Sequence, residues 1–220
     1  MKKLIKGIVQ FQNSLTEEGR AIFAKLAMGQ SPDALFITCS DSRVVPDLFA
    51  STDPGDLFVL RNVGNLVPLH TENLRDTSVV AGLEYSINSL HVSDIIVCGH
   101  SECGAMKAIH EGIEHVGCPH LTTWLKYGEK ANAKVKKGRV LNPSASVIDQ
   151  ISQLNVLEQM ENLMSYPVVK EKVKAKSLRI HGWWFDIAKA GVYCYEPSHD
   201  QFVLINEKEA NLILERLKNH

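Results

Sequence analysis

Two short segments of this 220-residue chain carry side chains that can hold a metal, and each comes where a buried strand should end. Cys39 closes the apolar run Ala34-Leu35-Phe36-Ile37-Thr38 and opens Cys39-Ser40-Asp41-Ser42-Arg43. His100 follows Ile95-Ile96-Val97-Cys98 through Gly99, and Cys103 comes three residues later. In an open α/β sheet, ligand sites gather beyond the carboxyl ends of the strands, so the two segments are expected to meet. Two thiolates and one imidazole suit zinc in softness and in tetrahedral geometry. Three protein ligands leave a fourth position for water, which separates a catalytic zinc site from a closed structural one. A lone His-x-x-Cys, or a lone cysteine on an apolar run, would carry little weight, since buried cysteine is common in cores.

The elements that must position these residues show in the spacing of apolar side chains. Runs at 34–39, 57–60 and 95–98 are short, rich in branched or aromatic residues, and bounded by Gly, Pro, Asp or Ser. Continuous apolarity of that length predicts parallel strands covered on both faces. A fourth strand is expected at 177–181, leading into Gly182, and a fifth at 192–195, the two pairing as a hairpin across Gly191. Helical spacing marks 77–90, 105–111, 145–164 and 207–217. Residues 2–27 are helical too, with a break near Ser14 and a new start at Thr16. The expected fold class is α/β, a mainly parallel central sheet flanked by helices, with an N-terminal helical arm and a late antiparallel strand. One domain is expected over 1–220: the arm at 1–27, an α/β core at 30–205 and a C-terminal helix at 207–220.

Composition narrows the function. Twenty-four basic and 25 acidic residues leave a formal net charge of -1, so no field of one sign points to nucleic acid or an anionic membrane. The basic run 126–139 is expected to be a solvated helix and loop. No window approaches about 20 uninterrupted apolar residues, and Lys6, Gln10, Gln12 and Asn13 interrupt the N-terminal apolar pattern, so neither membrane helix nor secretory leader is expected. Five cysteines, an odd number without dense spacing, fit ligands or core residues in a reducing, cytoplasmic setting.

The motifs CSDSR at 39–43 and GHSECGA at 99–105 resemble the two zinc-binding segments of the β-class carbonic anhydrases. Residues 54–65 resemble the family's stretch between them, and His181-Gly182-Trp183 its late strand, so the likeness spans about 30 to 186. It implies zinc, one per chain, held by Cys39, His100 and Cys103, and reversible hydration of carbon dioxide by attack of zinc-bound hydroxide. Asp41 and Arg43 are then the catalytic pair. Two residues apart on an extended segment, their side chains should lie on one side, with the guanidinium gripping the carboxylate through two hydrogen bonds. Held so, Asp41 stays ionised and can accept a hydrogen bond from the hydroxide instead of ligating zinc. The backbone N–H of Gly104, an unpaired donor at a helix start, would receive substrate oxygen.

Some members of that family are closed at rest and carry an inhibitory bicarbonate site built from a Trp, an Arg and a late Tyr. This chain keeps Arg61 but has Phe36 and Phe185 in the other two places. It is more similar to the plant-type, open-site branch, whose pocket residues fall on Gln30, Phe58 and Tyr85, with Val44 continuing the apolar wall. The resemblance also implies a homodimer or tetramer, with the N-terminal arm reaching across to a second subunit and the pocket lined from both chains. Four histidines, His110, His115, His120 and His199, could shuttle protons, and the sequence selects none. Competing readings are a carbon disulfide or carbonyl sulfide hydrolase on the same fold, a non-catalytic zinc-binding paralogue, and a cysteine-nucleophile hydrolase using Cys39 and His100. The last would leave Cys103 unexplained.

Overall fold

The computed structural model describes residues 1–70 and 77–218. The apolar runs form a six-stranded sheet of β1 (Ala34–Cys39), β2 (Leu57–Asn62), β3 (Asp94–His100), β4 (Arg179–Asp186), β5 (Gly191–Glu196) and β6 (Gln201–Leu204). The order is β2-β1-β3-β4-β5-β6. The first four strands are parallel, and β5 and β6 are antiparallel to their neighbours. Thr38 pairs with Cys98 and Cys39 with Asn62, so β1, β2 and β3 finish side by side.

β1 is buried along its whole length because it sends alternate side chains into two cores. Leu35 and Ile37 pack with Ile95, Val97 and Leu83 on one face, while Phe36 joins Val44, Ile96 and Phe185 on the other. A continuous apolar run is what a strand covered on both faces requires.

Helices flank this sheet. The N-terminal arm is α1 (Lys2–Ser14) and α2 (Glu17–Leu26), with Thr16 Oγ1 accepting from the Gly19 N–H at 3.1 Å to cap the second. There follow α3 (Pro46–Ala50), α4 (Ser78–Glu84) with a π-helical turn at Tyr85–Ser89, α5 (Gly104–Glu111), α6 (Pro119–Leu125), α7 (Glu129–Lys136), α8 (Val147–Leu163), α9 (Pro167–Lys174) and α10 (Glu207–Lys218). Among the described residues, no helix is long and apolar enough to cross a membrane.

Three expectations need correction. The fourth strand does not stop at Gly182 but runs on to Asp186. Gly182 is there for packing: a Cβ on it would stand 2.7 Å from Met160 Sδ, and one on Gly99 2.8 Å from Val156 Cγ2. The two glycines let α8 lie directly on β3 and β4. The edge strand β6 was not anticipated, being four residues with Gln201 and Leu204 exposed. The basic run is not simply solvated either. Lys130 and Lys134, both on α7, form ion pairs with the buried carboxylate of Glu158 on α8, Lys130 at 2.7 Å.

Candidate metal centre

Cys39 ends β1, His100 ends β3, and Cys103 caps the start of α5. The turn between His100 and Cys103 is tight. Glu102 takes a left-handed φ of 51°, held by its N–H donating to Asp149 Oδ1 at 2.8 Å and its carbonyl accepting from Arg43 Nη2 at 3.1 Å. Cys39 Sγ, His100 Nε2 and Cys103 Sγ lie within 4.8 Å of one another, all three residues buried. That approaches the span of one four-coordinate ion with bonds of about 2.0 to 2.3 Å.

The donor set fits a metal cation on two grounds. His100 Nδ1 lies 2.9 Å from the Ser101 carbonyl, which can only accept, so Nδ1 carries the proton and Nε2 presents its lone pair. That Nε2 is fully buried without a hydrogen-bond partner among the described residues, a costly arrangement unless a ligand fills it. The two sulfurs supply the second ground. The neighbouring Cys103 thiol holds Cys39 below the ordinary thiol value against its burial, helped by the Gly64 N–H. The same neighbour, with burial, pushes Cys103 up. Two buried thiols thus share one proton until a cation takes its place.

Beside the triad, Arg43 Nε donates to Asp41 Oδ1 at 2.9 Å and Nη2 to Oδ2 at 2.8 Å, the expected fork. The backbone is not extended, however. The Val44 N–H reaches the Asp41 carbonyl at 3.1 Å and the Arg43 N–H reaches Asp41 Oδ1 at 2.9 Å. The segment is a tight turn closed by the aspartate itself, a local bond that competes with strand geometry at Asp. The Arg43 guanidinium holds the Asp41 carboxyl well below the usual carboxylate range. Asp41 Oδ2 stands 3.9 Å from His100 Nε2, facing the ligands without being one of the three.

Arg61, which the resemblance relates to an inhibitory site of other proteins, is engaged here by backbone. Its Nη2 donates to the carbonyls of Cys39 at 2.9 Å, Asp41 at 2.8 Å and Val44 at 2.8 Å, tying the dyad loop to β2. Phe36 and Phe185 lie in an aromatic cluster: Phe36 meets Trp183 edge-on at 5.9 Å, and Phe49 stacks on Phe185 at 4.7 Å. Val44 is buried in that same core.

Phe58 and Tyr85 do meet, with ring centroids 5.7 Å apart. No hydrogen bond or ring contact among the described residues joins them, or the exposed Gln30, to the ligand side chains. Phe58 lies four residues before Asn62 on β2, about 13 Å back from the end that pairs with Cys39. Gly104 begins α5, and a Cβ there would meet open space. Of the four histidines, His120 lines a cleft of about 400 Å³ with Ser40, Arg61, Asn62 and Trp124. His110 instead bonds Asn132 at 3.3 Å, His115 approaches Glu114 at 3.6 Å, and His199 bonds Ser198 at 3.1 Å.

Sequence reasoning missed the scaffold behind the ligands. Ser152 on α8 donates to the His100 carbonyl at 2.7 Å and receives the Trp184 indole N–H at 3.2 Å. Asn155, Gln159 and Asn162, also on α8, bond the backbone of Gly64 and Val67 at 2.7 to 3.0 Å. Three amides on successive turns of α8 were the available signal, because buried amides need partners.

A family model described as carbonic anhydrase matches residues 34–192. The chain is 37% identical over 207 residues to a carbonic anhydrase of Pseudomonas aeruginosa, covering 94% of this chain and 93% of that protein. Among solved structures it is similar to the β-carbonic anhydrase CcaA, with a TM-score of 0.86, 34% identity, and coverage of 94% of this chain and 92% of that one. It is also similar to one of two tetrameric β-carbonic anhydrases from Sordaria macrospora, with a TM-score of 0.77, 29% identity, and coverage of 88% and 95%.

Proposed function

Because the chain belongs to the β-carbonic anhydrase family, we propose that it hydrates carbon dioxide reversibly to bicarbonate and a proton, at one zinc ion per chain held by Cys39, His100 and Cys103. The observation that carries this is the buried, unpartnered His100 Nε2 between two sulfurs, beside a carboxylate locked by arginine. When bound, zinc supplies hydroxide near neutral pH by lowering the pKa of its water. The fork from Arg43 engages both oxygens of Asp41, so the carboxylate stays ionised and outside the ligand set. Asp41 accepts a hydrogen bond from the attacking oxygen and turns a lone pair toward carbon dioxide. The Gly104 N–H receives an oxygen of the substrate, where the absent side chain leaves room.

The pocket wall is assigned to a second copy of the chain, which would bring its Gln30, Phe58 and Tyr85 to this triad. Two features support an obligate dimer, or a pair of dimers. Leu4, Ile5, Ile8 and Phe11 on α1 and Ile22 and Phe23 on α2 are all exposed, an apolar face that needs cover, and the Sordaria relatives are tetrameric. The arm at 1–27, the core at 30–205 and the C-terminal segment at 207–220, of which 219 and 220 lie outside the described residues, then work as one domain, placed in the cytoplasm, where a reducing medium keeps the ligand thiols free of disulfides. Deleting residues 1–26 should weaken association and activity together. Sedimentation at dilutions where hydration is still measurable checks this, and a fully active monomer contradicts it.

The branch assigned is the plant-type, open-site one, because aromatic packing occupies the positions of the inhibitory Trp and Tyr and Arg61 is engaged by backbone. Stopped-flow carbon dioxide hydration across pH 6 to 9, with bicarbonate added, tests reading and branch at once. Activity should fall gradually toward low pH, as one ionisation does, without bicarbonate-dependent steepness. No hydration, with turnover of carbonyl sulfide or carbon disulfide instead, would refute the proposed substrate.

A further inference from the structure

One peptide group connects the metal centre to a residue outside it. The N–H of Gly64 donates to Cys39 Sγ at 3.3 Å. The carbonyl of that same peptide unit belongs to Val63, and it accepts the indole N–H of Trp124 on α6 at 2.7 Å. In a planar trans peptide the C=O and N–H point in opposite directions, so the unit lies strung between indole and sulfur. Its neighbour is held as well, since Asn155 Nδ2 donates to the Gly64 carbonyl at 3.0 Å. Gly64 has a φ of +83°, and a Cβ on it would stand 2.9 Å from that of Ala105, so this backbone approaches the site as only glycine can.

We propose that Trp124 is a positioning residue of the metal centre, holding the Val63–Gly64 peptide so that its N–H bonds the Cys39 thiolate. A hydrogen bond accepted at the carbonyl polarises the peptide and strengthens the donor at its other end. The N–H draws charge from the sulfur, so Cys39 donates less to the metal and the metal keeps more of its Lewis acidity. Hydrogen-bond partners of metal ligands commonly alter affinity or activity by about 10- to 100-fold. The inference rests on Cys39 being a metal ligand.

Trp124→Phe removes the N–H and keeps a ring beside Tyr127, whose centroid lies 5.5 Å away. The full-length protein loaded with Co²⁺ should show sulfur-to-cobalt charge transfer, and in Trp124→Phe that band should move to longer wavelength. Zinc affinity by chelator competition should change about tenfold as the donor strength of Cys39 changes. In the wild-type chain loaded with Cd²⁺, the Gly64 amide proton should show through-bond coupling to the metal, a readout that needs no folded variant. An unchanged band and affinity in folded Trp124→Phe, or absence of that coupling in a chain that binds metal, overturns the role of Trp124. Absence of any charge-transfer band in the wild type refutes the metal reading itself.

Discussion

Cys39→Ser and Cys103→Ser should each lose bound zinc and hydration activity together, with metal analysis falling from about one ion per chain toward none. A serine hydroxyl is a harder and far less acidic donor than a thiol, so it cannot match thiolate at neutral pH. The cost should exceed the roughly 10- to 100-fold typical of an outer partner, because the site itself is lost. Both residues are buried, but serine is close to cysteine in shape, so circular dichroism should stay near wild type. A full zinc signal in either folded variant would contradict the ligand set.

Asp41→Asn should have the second largest effect and the opposite metal signature: zinc retained and hydration lowered by about 10²-fold or more. The amide is nearly isosteric but neutral, so the Arg43 fork loses its anionic partner. Its NH₂ group can also face the nucleophile as a donor where the carboxylate could only accept. The loss should fall on kcat at unchanged zinc content. Wild-type hydration rates in Asp41→Asn would reduce the dyad to an ion pair, since an exposed pair is worth only about 0 to 1 kcal/mol.

Much of this was legible in the residues. Short apolar runs rich in branched residues favour strands, and their order alternating with helical spacing favours a parallel sheet; β1 and β3 are buried as expected, whereas the run at 57–60 is the sheet's partly buried edge strand β2. Once the strands were placed, Cys39, His100 and Cys103 had to meet, because parallel strands present their carboxyl ends at one edge of the sheet. The Asp41–Arg43 pairing followed from chemistry alone, although the turn that achieves it did not: Asp41 bonds the Arg43 N–H locally, a choice that strand spacing does not record.

What lay beyond the sequence depends on contacts between residues far apart in the chain. Gly182 resembles a strand terminator until Met160, 22 residues away, is seen to need its missing side chain. Arg61 resembles a ligand-binding cation until three carbonyls of the 39–44 loop close on it. Phe58 and Tyr85 fall at the spacings of a substrate pocket, yet register sets Phe58 well back along β2 from Cys39. Side-chain type and local spacing determined which groups could do the chemistry. Only tertiary structure decided which backbone amides and carbonyls hold them, because those partners are available on every residue and are selected by proximity alone.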